Sequence, residues 1–273
     1  MIKLTKEYSK GRIVITPENE ETTDFSQLPE KVIEICRNWF LKSACIREVL
    51  PRIYLELALV SSHKYMQMRV QQSDLLRLSK MVRGIAEPLC ASYTCAYLAR
   101  VGHTMSPNAK DYLNLLVDFM FKIYAQSYAR GHPSVEKSRY MSLFDPTVDW
   151  LMQCLAYQAD RSVFKDVWTM YTANEKHTVF LKSIIRYFPS EIISVAVGVI
   201  TASIKNDYVG KPDDQLVLVK ELALACLRCP PKKAELKLDI INFGWETMKV
   251  AKDADKYMDC SIVLIEFSIK SLN

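Results

Sequence analysis

The chain has 273 residues, 49% of them hydrophobic and 25% charged, with 36 Lys and Arg against 31 Asp and Glu for a net charge of +5. Such a composition supplies both a core and a wetted surface, which excludes wholesale disorder. Only seven glycines are present, well under half of the ~7% of an average protein. Neither G-x-G-x-x-G nor G-x-x-x-x-G-K-[ST] occurs, so dinucleotide fingerprints, phosphate loops, doubly wound sheets and hairpin-rich β folds are disfavoured.

Residues 1–27 form a polar leader, basic at Lys3, Lys6, Lys10 and Arg12 and acidic at Glu18, Glu20, Glu21 and Asp24, and are expected to be a flexible arm. From there on one punctuation recurs. A proline or a short polar residue opens a run of apolar residues spaced three and four apart, because proline suits the first helical turn and Ser, Asp or Asn satisfies free N–H groups. The run from Pro29 carries Val32, Ile33, Cys36, Trp39 and Phe40 on one stripe; the next carries Ile46, Val49, Leu50, Ile53, Tyr54, Leu57 and Val60, with Pro51 opening or kinking it. Ser73 caps a segment with Leu75, Leu76, Met81, Val82 and Ile85, and Pro88 starts a helix expected to stop at Gly102. Ser106-Pro107 opens another through Leu113, Leu116, Met120 and Tyr124, with Gly131 as the residue that ends it.

A polar connector is expected over 131–144, followed by helix starts at Asp145-Pro146, Asp160, Asn174, Pro189-Ser190, Pro212, Pro231 and about Ala254. Roughly twelve helices result, and pairing them over 25–273 gives about 41 residues per pair, inside the ~40–47 of HEAT and armadillo repeats. The predicted fold is therefore all-α: a HEAT/armadillo-like α-solenoid of about six helix pairs forming one domain over 28–273, with helices over 28–130, the connector over 131–144 and further pairs over 145–273. A globular bundle would carry the same stripes, and no exact repeat consensus is present.

Catalytic chemistry finds little support. The four histidines (63, 103, 132, 177) are far apart and none stands in H-E-x-x-H. Cys226-Leu-Arg-Cys229 is a lone C-x-x-C at a predicted helix end, better read as buried thiols than as half of a metal or redox site. The eight cysteines lie mostly in apolar helical segments, which argues against a disulfide framework. Asp213-Asp214 lacks the third carboxylate that a magnesium-binding D-D-x-x-[DE] helix needs, and reads as charge placed favourably at a helix N-terminus. No G-x-S-x-G is present. A non-enzyme without metal or cofactor is expected.

Charge is distributed unevenly. Residues 31–110 hold twelve Lys and Arg against five acids, while the remainder is slightly acidic. This stretch could dock an acidic protein or anionic lipid, or be a solvated helix face. RNA fits poorly, since the aromatics sit in apolar stripes and not between basic residues. Ile13, Val14 and Ile15 are too short a run for a secretory signal, and Ile192–Ile204, the longest uncharged stretch, falls short of the ~18 residues of a membrane span, so a cytoplasmic location is expected.

Two segments are more specific. Pro51-Arg52-Ile53-Tyr54-Leu55, preceded by Ile46-Arg47-Glu48-Val49-Leu50, resembles a Pro-Arg-aliphatic-Tyr-aliphatic signature of the large scaffold subunits of the endosomal sorting complexes retromer and Retriever. Met81-Val82-Arg83-Gly84-Ile85-Ala86-Glu87-Pro88-Leu89, with Ala96-Tyr97-Leu98, is similar to that family's second signature. Asp149-Trp150-Leu151-Met152-Gln153-Cys154, Cys229-Pro230-Pro231, Trp245 and Tyr257–Cys260 extend the resemblance and bring it closer to the Retriever scaffold, in the vacuolar protein sorting-associated protein 35-like family. The resemblance runs from about Phe25 to the last residue. It implies a HEAT-like solenoid with no active site, working in endosomal recycling with coiled-coil and COMM-domain partners. Its N-terminal region would hold an arrestin-like subunit, and a far C-terminal portion a small phosphoesterase-fold subunit.

The family scaffold is several times longer than this chain, which is expected to be a fragment or shortened form without the phosphoesterase-fold subunit's site. Pro51, Arg52, Ile53, Tyr54, Leu55, Arg83 and Gly84 are the expected partner-binding residues. On the residues alone, Arg52 and Tyr54 could equally tie their helix to a neighbour, and Gly84 could serve packing or a helix cap. Alternatives to the scaffold are an unrelated solenoid adaptor and, third, an all-α enzyme. The last helix carries Ile262, Val263, Ile265, Phe267 and Ile269, too many apolar residues for one ordinary stripe, so Ile265, Phe267 or Ile269 is expected to face solvent.

Overall fold

The computed structural model describes residues 30–60 and 72–272. The arm over 1–27, Pro29 and the basic residues Lys64 and Arg69 lie outside the described residues. The helices are α1 (Glu30–Ala44), α2 (Val49–Val60), α3 (Gln72–Val82), α4 (Pro88–Met105), α5 (Asp111–Arg130), α6 (Lys137–Ser142), α7 (Asp145–Ala156), α8 (Arg161–Ala173), α9 (Thr178–Tyr187), α10 (Ser190–Asp207), α11 (Pro212–Arg228), α12 (Ala234–Met248) and α13 (Ala254–Leu272). The described residues are all-α, with one isolated bridge between His132 and Val135. No helix among them is long and apolar enough to cross a membrane.

Two compact units divide the chain, one through Leu115 and one from Leu116. In the first, α1 packs on α2, α2 on α3, α3 on α4, and α2 also on α4. In the second, α7, α9, α11 and α13 touch in series, while α10 and α12 pack on each other and on α11. The main contacts thus join helices one or two apart in the chain. This is the nearest-neighbour logic of a HEAT-like solenoid, where each apolar face is buried by the next helix pair. Within the touching series, α9 places Phe180, Leu181, Ile184 and Ile185 wholly out of water, each worth about 1.5–3 kcal/mol.

Local chemistry explains most boundaries. Asp160 accepts N–H bonds from Ser162 and Val163 at 2.9 and 3.0 Å and so starts α8. Gly131, at φ +65°, ends α5 with its N–H on the Ser127 carbonyl. Several expectations need correction. Gly102 does not stop α4 but lies buried within it, where a Cβ would stand 2.7 Å from the Tyr112 hydroxyl; glycine there permits close approach. Asn174 closes α8 instead of opening α9, because its side-chain amide donates to the Met170 carbonyl at 2.7 Å. The connector over 131–144 contains α6. Trp39 is exposed, since α1 packs mainly on α2 and one neighbour covers only part of its stripe.

In α13, Phe267 is fully buried with Cys260, Val263 and Leu264 on the face turned to α11 and α12. Ile265 and Ile269 are exposed as expected, and with Met258 and Ile262 they form a second apolar row at helical spacing.

Candidate partner-docking surface

Pro51 sits in the first turn of α2, where its missing N–H costs nothing, and the Arg52 N–H donates to the Glu48 carbonyl at 3.2 Å. The proline therefore opens the helix. The buried row that follows is Ile53, Glu56, Leu57 and Val60, which puts a carboxylate on an apolar stripe. Glu56, with its side chain 5% exposed, is held by two guanidiniums: Arg52 Nε–H donates to Oε1 at 2.7 Å, and Arg77 Nη2–H, from α3, donates to Oε2. Burial pushes this carboxyl up, but the hydrogen bonds and charges of Arg77 and Arg52 outweigh it and hold the group below the ordinary carboxylate value. Glu56 thus ties α2 to α3 through Arg77, while Arg52 of its own helix holds the carboxylate in place.

The second signature meets the first in space. The Gly84 N–H donates to the Met81 carbonyl at 2.9 Å, and a Cβ at Gly84 would lie 3.5 Å from Val49 at the start of α2. Glu87 caps α4, accepting from the Leu89 and Cys90 N–H groups, with Pro88 at the first helical turn. Tyr97 of α4 then stacks on Tyr54 of α2, with ring centroids 5.1 Å apart and planes within 12°. One turn before Tyr97 on the same face of α4 stands Tyr93, also exposed.

Of the expected residues, Pro51, Tyr54, Leu55, Arg83 and Gly84 face outward, with Tyr54 39% and Leu55 47% exposed. Arg52 is half-buried and engaged with Glu56. Ile53 is fully buried, so its side chain belongs to the core and not to a docking surface. Sequence reasoning missed Glu56, Arg77 and Tyr93. The signal for Glu56 was present, as a carboxylate on the apolar row four residues after an arginine. Nothing local points to Arg77, 21 residues away.

The other chemical candidates resolve into structural roles. Asp213 Oδ1 accepts the Lys252 and Asp253 N–H groups at 3.0 and 3.1 Å, tying the start of α11 to the segment before α13. Cys226 is buried in α11, and that burial pushes its thiol up to about 12, away from thiolate chemistry. Cys229 caps the end of α11.

The VPS35L family model matches residues 2–143. The VPS35 endosomal protein-sorting factor-like protein of Danio rerio is 31% identical over 245 residues, covering 87% of this chain and 25% of its own length. The Homo sapiens protein of the same name is 31% identical over 247 residues, with 87% and 25% covered, and that of Dictyostelium discoideum 34% over 251 residues, with 88% and 25%. The chain spans about a quarter of the length of these curated relatives.

Proposed function

The chain belongs to the VPS35L family, and we propose that it acts as a non-catalytic scaffold segment of a Retriever-like complex in endosomal cargo recycling, docking an arrestin-like subunit through α2–α4. The observation that carries this reading is the outward row of Tyr54, Leu55 and Tyr93, held in place by the Tyr54–Tyr97 stack and by the Glu56 clamp beneath it. Exposed aromatics on a rigid support form the usual centre of a protein interface, since they bury large area with little ordering cost. Arg83 adds a cation at the rim. In this reading Arg52 serves binding indirectly, by fixing the helix that presents Tyr54 and Leu55. Coiled-coil and COMM-domain proteins are further partners, and the chain reaches the endosome as a peripheral member of the assembly. The family match sets aside the alternative of an unrelated α-solenoid adaptor.

Calorimetric titration with the purified arrestin-like subunit tests the proposal. Leu55→Asp and Tyr54→Ala should each weaken binding at least about tenfold, as loss of a central interface side chain does, with no fall in melting temperature for Leu55→Asp and a small one for Tyr54→Ala, which also loses the stack on Tyr97. Unchanged affinity in both variants would overturn the assignment of this surface.

A further inference from the structure

A cavity of about 450 Å³ opens in the second unit, lined by Lys176, Lys182, Lys211 and Lys256 against two carboxylates, Asp145 and Asp214. Its position follows from the helix stack. Asp145 is the first residue of α7, Thr178 the first of α9, Asp214 lies in the first turn of α11 and Lys256 in the first turn of α13. These four helices touch in series, so all begin at one rim and direct their N-terminal dipole ends, about half a positive charge each, at one space. Three of those starts have no side-chain cap: Phe144 before α7, His177 before α9 and Lys211 before α11 donate or accept no capping bond through their side chains. Pro146 and Pro212 carry no N–H, and the Thr147, Phe180 and Gln215 N–H groups bond the Phe144, His177 and Lys211 carbonyls, so the uncapped first turn of α9 is the start that offers backbone donors beside these cations.

A further feature points to a ligand. His177, with its side chain 11% exposed, lines the cavity, and its Nε2 lies 3.4 Å from the Glu175 carboxylate. Lys182 and Lys211 form no ion pair among the described residues, whereas Lys176 donates to the Tyr171, Thr172 and Asn174 carbonyls and Lys256 lies 3.3 Å from Asp253. The hydroxyls of Tyr124, Ser138 and Ser142 complete a polar wall.

We propose that this cavity binds an inositol polyphosphate, with Lys182, Lys211 and Lys256 meeting phosphates and the open N-terminus of α9 contributing backbone donors. Its volume lies within the ~300–1,000 Å³ of small-ligand sites. Its untied or rim cations come from the starts of three helices, α9, α11 and α13, which suits a ring bearing phosphates on several sides better than a linear phosphate chain. Two carboxylates stand against this charge. Asp145 is pushed above its ordinary value by burial, against the pull of Lys182.

The test uses the full 273-residue chain. Soluble inositol hexakisphosphate is titrated by calorimetry at low and high salt, and liposomes with and without a phosphatidylinositol bisphosphate are tested by sedimentation. Saturable binding that weakens as salt rises, and about tenfold for each lysine reversed in Lys182→Glu and Lys211→Glu, is expected. Lys232→Glu, outside the cavity lining, should leave it unchanged. Capture by the phosphoinositide liposomes alone would assign the same chemistry to a lipid headgroup. In the neutral His177 ring, burial holds the pKa below its ordinary value, and NMR titration should show it rising when the ligand is bound. Absence of binding to both probes, or binding that persists in the Lys182→Glu/Lys211→Glu protein, overturns the proposal.

Discussion

In the α2–α4 region Arg52 and Arg77 both converge on the buried Glu56, and the surface above them is aromatic and aliphatic at Tyr54, Leu55 and Tyr93. At the start of α9, Lys182 and Lys211 meet no carboxylate in an ion pair among the described residues, and the surface around them is polar. The contrast separates two uses of positive charge. Guanidiniums locked to an internal carboxylate position helices and leave recognition to apolar side chains; untied ammoniums remain free to recognise an anion themselves. The second unit also contains a clamp of the first kind, where Arg186 of α9 meets buried Glu221 of α11 through Nη2 at 3.0 Å and Nε at 3.3 Å. The same device thus fixes neighbouring helices in both units.

The largest effect is expected at the clamp with two cations. Glu56→Ala removes the anion from between Arg52 and Arg77 and should cost about 3 kcal/mol, as breaking a buried pair does. Urea denaturation would measure it, and hydrogen exchange should locate the loss in α2 and α3. Glu221→Ala strips one arginine that is already 42% exposed, so about 2 kcal/mol or less is expected. Equal losses at the two sites would break the comparison. The clamp also predicts a pH dependence. Because Glu56 titrates below its ordinary value of 4.5 in the native protein, its contribution is complete above that value. It fades as pH falls through the unfolded and then the native pKa. Glu56→Gln should therefore flatten the acid limb of the stability curve below about pH 4.5 and leave the curve's shape near pH 7 unchanged.

Close helix approach gives the next effect. Gly102→Ala would drive a Cβ to 2.7 Å from the Tyr112 hydroxyl, whose hydrogen donates to the Ala99 carbonyl at 3.2 Å. A loss of about 2 kcal/mol, or roughly 5 °C in melting temperature, is expected from such overpacking. Gly198→Ala is the control: a Cβ there meets only Leu236 at 3.4 Å, an ordinary contact. Helix propensity makes that change neutral or favourable.

These residues also show which parts of the molecule were legible in the sequence. Asp160, Pro212 and Gly131 were read correctly because capping and turn chemistry acts within three or four residues. Gly102 misled because its partner, Tyr112, is set by packing and not by the local chain. Trp39 misled because periodicity gives the apolar stripe but not how much of it a neighbour covers. At the docking surface the motif residues were found, yet Ile53 turned inward and Arg77 went unnoticed, since the clamp joins residues 21 apart. The cavity was invisible for the same reason on a larger scale. It exists only once four helix starts, from Asp145 to Lys256, are stacked side by side.

The smallest effect on stability, with a distinct effect on behaviour, is expected at α13. Met258, Ile262, Ile265 and Ile269 are spaced by four, three and four residues, so they share one face, and all four are exposed. The opposite face, through Val263, Leu264 and Phe267, already holds the helix to its neighbours. Replacing Ile262 and Ile265 with lysine removes no buried contact and should change stability by no more than about 0.5 kcal/mol. An exposed apolar row of this kind is a surface on which copies associate, and two added ammoniums oppose that by charge and by hydration. Light scattering at tens of micromolar should therefore show concentration-dependent association in the parent chain and a monomer in Ile262→Lys/Ile265→Lys. Leu55→Asp, which alters the apolar surface of the first unit instead, should reduce partner binding without abolishing that association. If Leu55→Asp alone yields the monomer, the apolar surface that drives association belongs to α2 and α4, and the row on α13 is inert.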